Sequence, residues 1–370
     1  MTFFWAIMGA CVVLAAGAPA RAQEGAVATP LYERPNQGLI ELITGPVSGS
    51  TARVGEDLAT VLDDGATRRV LPVVGKGSLQ NLIDLRMLRG IDLAVVQTDV
   101  LDAVKPQMNA AGITYVAKLY NEEVHLLGRT DVATVADLVG KKVNLGLLGD
   151  GASITGPHLF ELLKIRVETT HYDQDTALEK LKSGEIAAML LIGGKPIPQL
   201  QGVRAQDGLH FIAMPSQVPN GGAGYFPAVL TADDYPGLVA AAEPVDTVAV
   251  GAVMLVANLT PGSGRYRNVA NFIEAFFTQF PKLLEPPRHP KWKEVNLAID
   301  LPGWRRFPAA DAWLKRNAAA ATAPVDDQHL QELFSKFIKE RSLASGSSMT
   351  DEQAKELFTT FQRWEATQPR

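Results

Sequence analysis

The sequence predicts an α/β fold, and three observations carry that reading. From Leu39 onward, short β-branched or apolar runs alternate with stretches of helical periodicity, the pattern of strands and helices packed in layers. The turns between them are rich in Gly, Ser and Thr, residues suited to tight connections and helix starts. Of 370 residues, 46% are hydrophobic and 20% charged, an ordinary globular composition. At ~100–200 residues per domain the length suits two domains or lobes.

No charge interrupts Phe3 to Ala20, and Ala20-Arg21-Ala22 supplies small residues at the positions a signal peptidase reads. Residues 1–22 are therefore expected to be a secretory signal peptide, cleaved after Ala22, and the mature protein to be periplasmic. Against this, no Lys or Arg precedes the apolar core, and its length approaches a short membrane span, so a retained anchor stays open. Met8-Gly9-Ala10-Cys11 is similar to a lipoprotein signal but lacks the usual Leu.

The elements then follow in order. Leu39–Ile43 is expected to be a strand, followed by a Gly/Ser loop and a helix from about Thr51 to Leu62. Val70–Val74 is a second strand, leading through Gly75-Lys76-Gly77-Ser78 into a helix over Leu79–Leu88 with Leu79, Leu82, Ile83 and Leu88 on one face. Asp92–Val96 is a third strand, ending in Gln97-Thr98-Asp99. Val143–Leu147, the loop Gly149-Asp150-Gly151-Ala152-Ser153 and a helix over Ile154–Lys164 repeat the arrangement, as do Ile186–Ile192 and Gly193-Gly194-Lys195-Pro196. Val245–Val256 is a long β-prone run able to return the chain to its first lobe. The expected division is lobe 1 at 36–122 with 246–320, lobe 2 at 123–245, and a C-terminal helical extension at 323–370. That extension carries a stripe of Leu330, Leu333, Phe334, Phe337 and Ile338, and a capping box at Thr350 and Gln353. Its helices either pack on the body or dock on a partner.

Turns of this kind aim free backbone N–H groups at one point, and the helix dipole adds positive charge there, so a small anion such as a carboxylate is a suitable guest. Ordinary capping loops are the competing reading. Other chemistries are excluded. Net charge is −5 without a basic stripe, which speaks against nucleic acid. Cys11 is the single cysteine, so disulfides, cysteine zinc sites and a mature thiol nucleophile are ruled out. Gly75-Lys76-Gly77-Ser78 lacks the earlier Gly of a P-loop, and no GxGxxG, GxSxG or HExxH pattern occurs. His158 and Glu161 are read as a surface pair and His125 as a hydrogen-bonded core or hinge histidine. No catalytic residue, metal ligand or cofactor is expected.

At these loops the chain resembles the TAXI family, the extracytoplasmic solute-binding receptors of TRAP-type transporters, from about Leu39 to Leu314. The resemblance rests on Ile43-Thr44-Gly45 with Ser48-Gly49-Ser50, Gly77-Ser78-Leu79-Gln80-Asn81-Leu82, and Asp92 to Asp99 ending in Gln97-Thr98-Asp99. Leu119-Tyr120-Asn121-Glu122-Glu123-Val124-His125, Val135 to Val143, and Trp292, Leu301-Pro302-Gly303-Trp304 and Trp313-Leu314 follow in the family's order. The resemblance implies a two-lobed, type II periplasmic-binding-protein fold with a ligand cleft between the lobes. It also implies a small acidic solute, such as an acidic amino acid or organic acid, and delivery to membrane TRAP permease subunits by a monomer. A sensing module of the same fold is the alternative. The candidate ligand-binding residues are Ser48, Gly49, Ser50 and Thr51; Lys76, Gly77, Ser78 and Asn81; Gln97, Thr98 and Asp99; Asp150, Gly151, Ala152 and Ser153; and Gly193, Gly194 and Lys195.

Two departures matter. The first loop continues Ser50-Thr51-Ala52 where the family often has aromatic residues, and Gly149-Asp150-Gly151-Ala152 replaces a usual Gly-Ser-Gly-Thr. An Asp in the cleft repels a plain dicarboxylate unless Lys76, Lys195 or a ligand amino group balances it. The ligand is then expected to carry both a carboxylate and an amino group. The rival reading has Asp150 capping the following helix and facing away.

Overall fold

The computed structural model describes residues 38–47, 49–65, 67–107, 112–215 and 224–317. The expected signal peptide, the expected helical extension at 323–370 and Ser48 lie outside the described residues.

Strands β1 (Leu39–Thr44), β2 (Arg69–Val74) and β3 (Leu93–Gln97) run parallel, with β1 between the other two. Each is followed by a helix: α1 (Ser50–Leu62), α2 (Ser78–Met87) and α3 (Thr98–Val104). Helix α1 turns Val54, Leu58 and Leu62 inward at a four-residue spacing, the stripe an amphipathic helix buries. In α2 the buried leucines are Leu82 and Leu85, while Ile83 and Leu88 are exposed. Of the expected face, Leu79 and Leu82 pack on the core, Ile83 points outward, and Leu88 lies beyond the end of the helix.

The chain then enters β4 (Thr114–Arg129), sixteen residues long and buried over most of its length. The sequence reading places no strand there, since Asn121-Glu122-Glu123 interrupts the apolar run. Strands β5 (Lys142–Asn144), β6 (Glu168–Thr170) and β7 (Ala188–Gly193) form a second parallel set, with β5 between β6 and β7. Helix α4 (Ala152–Leu162) follows β5, and α5 (Gln174–Ser183) follows β6. The Asp173 carboxylate caps α5 by accepting from the Thr176 amide at 3.0 Å. Strands β8 (Leu209–Phe211), β9 (Phe226–Leu230) and β10 (Val245–Val256) complete the sheet; α6 (Gly264–Leu283) and α7 (Pro308–Arg316) follow.

The sheet is ten-stranded, in the order β2-β1-β3-β10-β4-β7-β5-β6, with β8 on β4 and β9 on β10. Strands β4 and β10 are antiparallel partners, and each serves both parallel sets. The first part of β4 pairs β10 and its last part pairs β7 and β8, while β10 pairs β9 at its start and β3 at its end. Where they cross, the register slips between Gly251 and Val253. Apolar cores flank each half. Beside the first strand set lie Leu42, Leu58, Phe272, Phe276 and Trp292 on one side and Leu82, Val96 and Leu101 on the other. The second set is packed by Val124, Leu159 and Leu190 and by Leu181, Met189 and Phe211. The mixed α/β fold agrees with the sequence reading.

One buried carboxylate ties the first core together. Asp57 on α1 accepts from the His289 amide at 2.8 Å and the Trp292 indole at 3.0 Å. The Asp57→Ala change strands two buried donors at 1–3 kcal/mol each. We expect a loss of roughly 3 kcal/mol by urea unfolding, with Asp57→Asn losing less because it keeps an acceptor.

Candidate functional site

In open α/β sheets ligands bind beyond the carboxyl ends of the strands, and here the two parallel sets turn those ends toward each other. Gly194, just past β7, donates its amide to Ser50 Oγ at the start of α1 at 2.8 Å. The Gln80 amide of α2 donates to the Gly149 carbonyl at 2.9 Å. The Thr155 hydroxyl of α4 donates to Asp99 Oδ2 at 2.5 Å, and the Tyr225 hydroxyl reaches the same oxygen at 3.4 Å. Glycine is needed where the loops touch. A Cβ on Gly77, which has φ +123°, would lie 2.7 Å from Asp150 Oδ1, and one on Gly151 would lie 1.7 Å from Gln97 Oε1.

The sequence-predicted residues fall into three groups. Gly77, Gln97, Asp99, Asp150 and Gly151 meet at this junction. Ser50, Gly193 and Gly194 meet beside it: a Cβ on Gly193 would approach Ser50 Oγ to 3.0 Å. Others are occupied by the framework. Thr51 Oγ1 accepts from the Gly45 amide, Ser78 Oγ from the Gln97 amide and Thr98 Oγ1 from the Gly251 amide. Asn81 donates to the Thr44 and Val95 carbonyls, and Ser153 donates to the Asp150 carbonyl. Ala152 is buried in α4, Gly49 precedes α1, and Lys76 is exposed on the α2 loop.

Two expectations need correction. Lys195 is no counter-ion for Asp150, because its ammonium is held by Asp234 at 2.9 Å and the Val229 carbonyl at 2.6 Å. Asp150 does cap α4, its carboxylate accepting from the Gly151 and Ala152 amides, but it does not face away from the junction. Its carboxylate sits between Gly77 and Gly146. Burial pushes it up to about 6 against the pull of the Gly151 and Ala152 amides.

The residues missed are those of the β4 triplet and their partners. Glu123 accepts from Lys291 Nζ at 2.5 Å and from the Lys195 amide at 3.0 Å. Lys291, 2% exposed, also meets Glu294 at 2.7 Å. Burial lowers Lys291, but the charges of Glu123 and Glu294 outweigh it and hold the ammonium above its ordinary value. Glu122 is 3% exposed and has only a neutral donor, Gln97 Nε2 at 2.9 Å. Burial pushes it up to about 8, with the charges of Asp150, Glu123 and Asp99 adding to the effect. Burial raises Asp99 as well. Lys118 donates to Asn121 Oδ1 at 3.0 Å and lies over the Phe226 ring; burial lowers it. His125 is the hydrogen-bonded core histidine expected, between the Glu123 carbonyl and the Tyr235 hydroxyl. Two adjacent glutamates inside an otherwise apolar run were the available signal.

The NMT1-like family model matches residues 42–301. The chain belongs to the NMT1-like family. Among solved structures, this NMT1-like chain is similar to an ABC uptake transporter substrate binding protein from Streptococcus pneumoniae with bound histidine. Identity there is 14% and TM-score 0.43, over 67% of this chain and 91% of that one. The periplasmic binding protein BugD matches at 13% identity and TM-score 0.46, over 80% of this chain and 97% of its own. MatC from Rhodopseudomonas palustris with bound malate matches at 14% identity and TM-score 0.43, over 66% and 88%.

Two measurements test this electrostatic picture of the NMT1-like protein. Removing one partner of a buried ion pair leaves an uncompensated charge, so Lys291→Met should lose about 3–5 kcal/mol by denaturant unfolding. Adding Glu123→Gln to it should recover much of that loss. Glu122 behaves differently. The folded chain keeps a proton up to about 8 that an unfolded glutamate, with its ordinary value of 4.5, gives up earlier. Folding therefore takes up a proton between these values, and the stability Glu122 permits falls as pH rises through that window. Glu122→Gln lacks this loss. Its melting temperature should gain on the parent's from pH 5 to pH 8, then run parallel to it.

Proposed function

We propose that this NMT1-like protein is an exported solute-binding receptor of the TAXI type. In this reading it captures a small carboxylate-containing solute between two lobes and hands it to the membrane subunits of a TRAP permease. Lobe 1 is the β1–β3 half with the C-terminal helices α6 and α7, and lobe 2 is the β5–β7 half. The observation that carries the reading is the opposed pair of strand-end junctions, hydrogen-bonded across at Ser50–Gly194, Gln80–Gly149 and Asp99–Thr155. Among the described residues the chain passes between the halves along β4 and β10 alone. Two strands whose shared register slips twice are a suitable hinge, and closure over a small solute needs such a hinge and convergent donors.

The helix starts supply part of the chemistry. Helices α1, α2 and α4 all begin at the junction, and helix N-termini favour anions. Exposed Lys76 stands on the same loop as Gly77. A thermal-shift screen of the exported form against amino acids, dicarboxylates, keto acids and sugars tests the reading. A solute at ~100 times its dissociation constant adds about 2.7 kcal/mol to the folded state, which is a rise of a few degrees. A rise with a carboxylate-containing solute is the expected outcome. A flat screen turns the reading down in favour of a sensing or partner-docking role.

A further inference from the structure

The junction holds a patch in which acceptors outnumber donors. Gln97 is 3% exposed. Its Nε2 is committed to Glu122 at 2.9 Å, which turns its Oε1 toward Gly151, where that buried oxygen has no partner. Glu122 lies on one side of this amide and Asp150, which precedes Gly151, on the other. Asp99, from the start of α3, adds its charge to the same region. The buried cations nearby are committed elsewhere, Lys195 to Asp234, Lys291 to Glu123 and Glu294, and Lys118 to Asn121, while Lys76 on the Gly77 loop is exposed to solvent. Among the described residues, no three His, Cys, Asp or Glu side chains converge closely enough to hold a metal ion.

A buried amide oxygen without a partner is costly, and so is ionising a buried carboxylate met only by neutral donors, the Gln97 amide at Glu122 and the Gly151 and Ala152 amides at Asp150. One class of guest relieves both, an organic cation with several N–H donors. We infer that Gln97 Oε1, Glu122 and Asp150 form a subsite for an ammonium or similar N–H cation on the solute, so that the receptor requires an amino-bearing ligand and rejects plain dicarboxylates. This rests on the receptor reading above and narrows its solute class. Parting of the two halves lifts the Gly151 backbone off Gln97 and opens the subsite. Closure then buries the cation against Glu122 and leaves the solute's carboxylate toward the helix starts.

Proton linkage follows from the groups that face Glu122: the Gln97 amide from β3, Asp99 from α3, Asp150 from the α4 loop, and its neighbour Glu123, itself paired with Lys291. At neutral pH the Glu122 side chain carries a proton. An incoming ammonium needs the carboxylate, so binding expels that proton to solvent and affinity rises with pH up to about 8.

The experiment is isothermal titration of the exported protein with matched pairs: L-glutamate against glutarate, L-aspartate against succinate, and γ-aminobutyrate against butyrate. L-Lysine, L-arginine and glucose are run alongside. An amino-bearing compound should bind roughly 10³-fold or more tighter than its deaminated partner, because loss of the N–H donors leaves buried acceptors unpaired. At pH 7, titrations in buffers of different ionisation enthalpy should show release of close to one proton. Glu122→Gln should weaken the amino compound on the order of 100-fold, without lowering the melting temperature, and should abolish the proton release. Should that variant not fold, Asp150→Asn gives the same loss from the other side of Gln97. Equal binding of an amino compound and its deaminated partner, or glucose as the sole binder, overturns the cation subsite and leaves the receptor standing. Unchanged affinity in both variants also overturns it. If nothing in the panel binds and the wider thermal-shift screen is flat too, the receptor reading falls and the subsite with it.

Discussion

Three polar residues in the middle of a buried strand, Asn121-Glu122-Glu123, are the constraint to which the rest of the structure responds. Strand β4 is paired on both sides, so water cannot solvate its centre, and ionised carboxylates there must be matched or protonated. The two glutamates meet this condition in opposite ways. Glu123 acquires a full counter-ion from Lys291 and an amide from Lys195. That draws together the second strand set, the 290–294 turn and the centre of the sheet. Glu122 acquires only the Gln97 amide, which draws the end of β3 toward β4, and burial favours its protonated form. One glutamate builds the framework and the other leaves it incomplete.

The surrounding loops show the same division. Hydroxyls that composition alone would assign to a ligand are used to hold the loops in place: Thr51 pins Gly45, Ser78 pins Gln97, and Thr98 pins Gly251. Gly251 sits where β10 slips register against β4, and a Cβ there would come within 2.9 Å of Lys118 Cε and 3.1 Å of Thr98 Cγ2. The crossing of the two long strands is therefore crowded by side chains from both neighbours. A hydroxyl-rich, glycine-rich loop is what a strand-to-helix turn needs for its own closure. It says where a ligand can sit more reliably than what touches it.

This explains which parts were legible in the sequence. Strands β1, β2 and β10 and helices α1 and α4 lie near their expected positions because their periodicity and caps are local. The junction loops were legible as loops. Strand β4 was hidden because its polar residues Asn121, Glu122 and Glu123 break the apolar pattern that identifies a strand. Pairings across long separations were hidden for another reason. Lys195 finds Asp234 and Lys291 finds Glu123 through the topology of the sheet, which no local pattern encodes. Helix α2 was misjudged at its edges, where one residue of shift decides whether Leu88 is inside the helix or beyond it.

The helix starts and the buried acids impose opposite demands on any occupant of the junction. Each helix N-terminus presents roughly half a positive charge, within its first turn. The acids present acceptors whose ionisation is suppressed by burial and by one another. A monopolar anion satisfies the first set and adds to the repulsion in the second; a monopolar cation does the reverse. Field of both signs within one small junction favours a dipolar guest held in a single orientation. The geometry makes that selectivity inexpensive to switch. Glu122 is held toward its neutral form, and the junction is tolerable, when the site is closed and empty. It becomes charged only against a guest that brings the compensating cation. A site of this construction stays folded without its solute and still discriminates strongly once the solute arrives, because the group that does the discriminating is ionised by the act of binding.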